Sequence, residues 1–238
     1  MSDFQKTVRK KNALNNTKLR LSAPNPNAKG VYSNLSWDIY QNNPRIVVDT
    51  RDPNLSSPEN GYGRIQAALD PLVFGVFLNF MKEAIASPSA VKFKIENYSY
   101  EYANGQRAQE TSHTSDVWVG KDAEGQMFLT VVSKKSGNWP VIKFIFGPSD
   151  QRWHKFFHGD GTPISKAELS VYAAKSYAEW LPLLTASVMD THYYDAPPNT
   201  AWKNKQGGGG GNYGGGGGYN KPPASSGGGD IGDADLPF

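Results

Sequence analysis

Two histidines four residues apart, His154 and His158 in Trp153-His154-Lys155-Phe156-Phe157-His158, are the first candidates for chemistry. On a helix that spacing puts both imidazoles on one face, toward a metal ion. The surroundings withhold the rest of such a site. The Glu of a zinc-protease helix is missing, Pro163 keeps any helix there short, and the chain has no Cys to contribute a thiolate. Lack of Cys also removes disulfides and thiolate nucleophiles, and it fits a reducing cytoplasm. The carboxylates fall in no spacing that selects a reaction, and no Gly-x-Ser-x-Gly elbow occurs. The glycine tract near the C-terminus has no strand before it and no Gly-Lys-Ser/Thr after it, so it is not a phosphate-binding loop. No metal site, cofactor or enzymatic activity is expected.

What the sequence does supply is cations interleaved with aromatic rings. Between Val91 and Tyr102, Val91, Phe93 and Ile95 share one parity, while Lys92, Lys94, Glu96, Tyr98, Tyr100 and Tyr102 share the other. On a solvent-facing strand this stripe suits a polynucleotide, because each ring offers a π-face to a base and each Lys meets phosphate. A bulge near Glu96 and Asn97 would instead turn the tyrosines into the core, and both readings stand. Further candidate contacts are Lys18 and Arg20, opposite Leu19 and Leu21; Tyr40, opposite Trp37; and Arg107 and Trp118 on the return strand. Lys134 and Lys135 lie just before a second patch, Trp139 with Lys143, opposite Ile142, Phe144 and Phe146. That patch reads equally as an amphipathic strand beneath another layer.

Alternating segments position these residues. Thr17–Leu21, Val31–Tyr40 and Arg45–Thr50 read as strands, with Trp37 in the core, and Arg51–Arg64 reads as a long loop of the kind that carries function. Asp70-Pro71 opens a helix that Ser87-Pro88 closes. It is apolar nearly all round, so burial on most sides is expected. Asn104-Gly105 marks a hairpin between Val91–Tyr102 and Arg107–Lys121, and Met127–Lys134 and Trp139–Phe146 complete the strands. Ser165 to Glu168 is a capping box whose helix runs to Leu181, where Pro182 is expected to stop it. Leu169, Tyr172, Ala173, Ser176 and Trp180 form its core stripe. The sum is a mainly β protein: a β-barrel, OB-fold-like, with helical additions, a five-stranded design with an intervening helix that commonly grips single strands. A generic α+β domain is the alternative.

Charge is polarised along the chain. Of 25 cations and 22 anions, only Lys221 and three Asp lie beyond residue 205, so the first 205 residues hold 24 and 19, a formal +5. This favours a polyanionic partner. Residues 1–16, with Lys6, Arg9, Lys10 and Lys11, read as a flexible basic arm, and the N-terminus does not read as a secretory signal. The longest apolar run is too short to span a bilayer, so a cytoplasmic protein without a membrane partner is expected. Residues 17–205 form the binding domain. Residues 206–229, with 13 glycines between Gly207 and Gly229, form a disordered linker, and 230–238 form an acidic tip.

That tip carries Asp230, Asp233 and Asp235 and closes in Leu236-Pro237-Phe238. An acidic run ending in an aliphatic residue, Pro and Phe on a Gly-rich linker resembles the tail of bacterial single-stranded-DNA-binding proteins, and the chain is similar to their divergent phage-encoded members. The resemblance covers about nine residues plus the linker by composition, with Gly232 and Ala234 interrupting the Asp run. It implies a body that coats and protects single-stranded DNA in replication, recombination or repair. It also implies that Asp230, Asp233, Asp235, Leu236, Pro237 and Phe238 recruit partner proteins of those processes. Self-association is left open. The alternatives are an RNA-binding protein with a Gly-rich assembly tail, although RGG and RNP1 motifs are absent, and a scaffold that binds no nucleic acid.

Overall fold

Apolar alternation in the first half of the chain, interrupted by the consecutive Ile46, Val47 and Val48, produces a four-stranded antiparallel sheet. Its strands are β1 (Leu21–Pro24), β2 (Tyr32–Tyr40), β3 (Asn43–Asp49) and, beyond a short ladder of β4 (Ser56–Ser57) with β5 (Gly61–Tyr62), β6 (Arg64–Ala68). The structure, a computed structural model, describes residues 13–15, 19–57, 61–103, 106–147 and 154–195. Most of the basic arm, Lys18, the linker 206–229 and the tip 230–238 lie outside the described residues, as do the side chains of Tyr102 and Arg107. The chain divides into two units, Met1–Tyr194 and Asp195–Phe238, and both large sheets and both long helices belong to the first.

β2 and β3 are joined by Gln41 and Asn42, whose φ of 48° and 63° give the left-handed two-residue turn that matches strand twist. Leu35, Trp37, Ile46, Val48, Ile65 and Ala67 all face inward from this sheet and are buried. The expected first strand at Thr17–Leu21 begins instead at Leu21. The expected loop Arg51–Arg64 holds a 3-10 turn at Pro53–Leu55 and the β4–β5 ladder, and leads into β6, a short Arg-Ile-Gln-Ala-Ala strand not expected from the sequence.

Helix α1 (Pro71–Ala86) starts and stops where the sequence indicates. The Asp70 carboxylate accepts from the Leu72 and Val73 amides, Pro71 opens the first turn, and Ser87 caps the end. It buries Phe74, Phe77, Met81 and Ala84, with Phe74 and Phe77 at 5.6 and 5.4 Å from the Trp37 ring. Burial is one-sided, however. Leu72 is 84% exposed and Val76 also faces out, since the helix packs on one face of the core.

The second sheet has the order β10-β9-β8-β7, from β7 (Val91–Ala103), β8 (Gln106–Lys121), β9 (Met127–Ser133) and β10 (Phe144–Ile145). Ile142, Phe144 and Phe146 are buried as their spacing predicts, but only two residues of the expected strand Trp139–Phe146 pair. Helix α2 (Lys166–Thr191) carries the complete Ser165–Glu168 capping box yet runs straight through Pro182. Packing on both sides of that proline outweighs the lost hydrogen bond. Its buried stripe is Ser170, Ala174, Ala178, Leu181, Thr185 and Val188, so Tyr172 and Trp180 point outward, the latter 59% exposed, contrary to the expected stripe.

The molecule is thus mostly β, with two antiparallel sheets and two long helices over one continuous core. The two edge strands of the first sheet approach the second, β1 beside its edge strand β10 and β6 against its inner strands β8 and β9, and the Ser115 hydroxyl donates to the Gln66 carbonyl at 3.4 Å. Among the described residues, ladders run within each sheet and none joins the two. No helix among them is long and apolar enough to cross a membrane.

Candidate nucleic-acid interface

The long β7–β8 hairpin sets the geometry of the candidate surface. Phe93 and Ile95 turn toward the core opposite Val119 and Val117, which sends Lys92, Lys94 and Glu96 to the outer face with Trp118. Lys94 pairs directly with Trp118 across the ladder. The Lys92 and Lys94 ammonium groups stand 5.4 and 5.6 Å from the Trp118 ring centroid, within cation–π range. Beyond Trp118 the outer face of β9 adds Phe128, Thr130 and Val132. With Val141 and Lys143 they bound an open groove of about 560 Å³. Lys143 leans over the Phe128 ring at 5.3 Å and pairs with Asp122 at 2.5 Å.

The two readings of the tyrosine stripe separate here. A register shift does fall between Asn97 and Tyr98, but Asn97 faces Ser115 and Tyr98 faces His113, so the extra residue is Thr114 on β8. β7 keeps its alternation. Tyr98 therefore stays with Lys94 and Glu96, 52% exposed, stacked on His113 at 4.9 Å with its hydroxyl donating to Glu96. Tyr100 pairs with Thr111 and is half-buried.

Most cations on this face are already matched by carboxylates. Lys94 pairs with Glu96, Lys134 with Asp116 at 2.7 Å and Lys143 with Asp122. Burial pushes the Asp116 carboxyl up, yet hydrogen bonds from Lys134 and His113 and the Lys134 charge outweigh it, leaving this carboxyl below its ordinary value. Asp122 shows the same balance, with Lys143 and the Gln126 amide holding it down against burial. A hydrogen bond from Lys94 lowers Glu96, and the hydrogen bond to Glu96 raises Tyr98.

Of the residues singled out from sequence, the fold gathers Lys92, Lys94, Tyr98, Trp118, Lys134 and Lys143 on this face. Others are elsewhere. Arg20 borders a separate pocket of about 260 Å³ with Lys166 and Ser170. Tyr40 lies on the other sheet beneath the Arg45 guanidinium, 4.7 Å away. Lys135 is exposed just past β9. Trp139 is corrected outright: it packs half-buried against the core, its indole N–H donating to the Ser136 carbonyl at 3.1 Å, so no outward ring stands beside Lys143. His154 and His158 lie in non-helical chain, and the His158 ring sits 3.6 Å from Glu168.

Sequence reasoning missed Phe128 and Val132, although a strand apolar on both faces was the available signal. It also missed His113 and Asp116. These two and Glu96 are the one group of metal-ligating type among the described residues. No protein-family model, curated protein or solved structure matches the chain.

Proposed function

We propose that this protein binds single-stranded DNA independently of sequence, coating it during replication, recombination or repair, and recruits partner proteins through its acidic tip. The observation that carries the reading is the outer face of β7–β9. There Trp118 lies between two lysines beside an open apolar groove, an arrangement that offers a stacking ring to a base and ammonium groups to the flanking phosphates. The approach of β1 to β10 and of β6 to β8 supports an OB-like barrel as the scaffold. Asp230, Asp233, Asp235, Leu236, Pro237 and Phe238 supply the recruiting peptide, with the apolar end as its buried anchor and the carboxylates speeding encounter.

Filter binding of poly(dT), poly(U) and duplex DNA at several salt concentrations tests the first half. Preference for poly(dT) with quenching of tryptophan fluorescence is expected. Preference for poly(U) would move the reading to RNA, and failure to bind all three would leave a scaffold. Pull-downs with full-length chain against a Phe238 deletion test the second half, where an unchanged partner set would refute recruitment by the tip.

A further inference from the structure

The bulge on β8 brings together three donor groups that a regular strand would keep apart. His113 and Asp116 are three residues apart, so strict alternation would send them to opposite faces. The extra residue Thr114 puts both beside Glu96 of β7, and one ligand atom from each of the three lies within 4.8 Å of the others. Every one of these side chains is also held from outside. Asp116, its side chain 5% exposed, accepts from Lys134 on Oδ2 and faces the His113 Nε2 with Oδ1, each at 2.7 Å. Glu96 accepts the Tyr98 hydroxyl at 3.1 Å, and the Tyr98 ring stacks on the imidazole. Outer partners of this kind fix the orientation of metal ligands and their protonation.

We propose that Glu96, His113 and Asp116 form a binding site for a divalent first-row metal ion of the zinc type, one imidazole nitrogen and two carboxylate oxygens. Imidazole with carboxylate suits zinc or nickel, whereas magnesium favours oxygen alone and would leave Nε2 unused. Bonds of about 2.0–2.2 Å at tetrahedral angles put donors roughly 3.4 Å apart, so the 2.7 Å His113–Asp116 pair must open by about 0.7 Å as the exposed Glu96 end moves into place. Asp116 can ligate through Oδ1 and keep Lys134 on Oδ2. The metal takes the Nε2 lone pair in competition with protons, so binding strengthens as pH rises. The charged and titratable groups around the imidazole are Glu96, Tyr98, Asp116, Lys94 and Lys134. The two lysines neutralise the carboxylates, so they hold the affinity below that of an unopposed site.

Titration calorimetry of the untagged full-length chain with zinc chloride, without nucleic acid, tests this independently of DNA binding. One equivalent should bind, more tightly at pH 7.5 than at pH 6, with no competition from magnesium. His113→Ala and Glu96→Gln should each weaken zinc by at least about tenfold while circular dichroism shows a folded protein, and Tyr98→Phe should give a smaller loss. Equal zinc binding in wild type and His113→Ala, or zinc uptake abolished by His154→Ala with His158→Ala instead, would overturn the assignment.

Discussion

Trp118 is the ring on which the proposed interface depends. Its side chain lies on the outer face between two lysines, away from Val117 and Val119 in the core. Trp118→Ala should therefore weaken oligo(dT) binding by about 1–3 kcal/mol with little change in melting temperature. Fluorescence anisotropy of labelled oligo(dT) would measure it, and unchanged affinity would remove Trp118 from the interface. Pairing of Lys94, Lys134 and Lys143 with carboxylates leaves Lys92 as the cation of this set without a carboxylate partner among the described residues. Phosphate must compete for the rest, so this face should contribute a shallow salt slope, about −0.7 per cation actually released, and stacking carries more of the affinity than charge. The Lys92 and Lys94 positions were legible in the sequence, because β7 keeps its period of two there, whereas Tyr98 stood open between face and core until the bulge fell on β8. His113 was not, since no residue type announces a bulge at Thr114. Trp139 was misread because parity was extended across a segment that leaves the ladder.

At the scale of elements, the start and cap of each helix were legible because they depend on local chemistry: Asp70 with Pro71, and Ser165 with Glu168. The course of α2 past Pro182 was not, since it is decided by long-range burial of Leu181, Thr185 and Val188. The β7–β8 hairpin has a further requirement that spacing hides. A Cβ on Gly120 would stand 2.2 Å from the Val91 carbonyl oxygen and 2.8 Å from the Lys92 Cα, so the two strands can approach this closely only at glycine. Gly120→Ala should force β7 away from β8 and destabilise the protein by about 1–3 kcal/mol or more. A drop of roughly 2–4 °C per kcal/mol in a thermal melt is the expected reading. Oligo(dT) affinity should fall with it, because the displacement moves Lys92 relative to Trp118. A wild-type melting temperature would show that the strands yield at no cost.

Across the whole molecule, Asp116 and Asp122 tie the outer face of the second sheet to itself. Asp116 joins β8 to Lys134 beyond β9, and Asp122 joins the turn before β9 to Lys143. Both carboxyls lie below the ordinary Asp value of 3.8 despite burial, which fixes the sign of their linkage. A group depressed on folding adds stability that is fully present above its unfolded pKa and is lost as pH falls through its folded pKa. Melting temperature should therefore change little between pH 7 and 5 on their account and fall steadily below about pH 4. Asp116→Asn should be less stable than wild type at pH 7, because Lys134 and His113 lose their charged partner. It should also lose less on acidification, so the two curves converge toward low pH. Asp122 remains in the variant, and the exposed Glu96, Asp160 and Glu168 are depressed as well, so a residual fall persists there. Parallel curves for wild type and Asp116→Asn from pH 7 to 2 would show that the Lys134–Asp116–His113 cluster makes no pH-dependent contribution to folding.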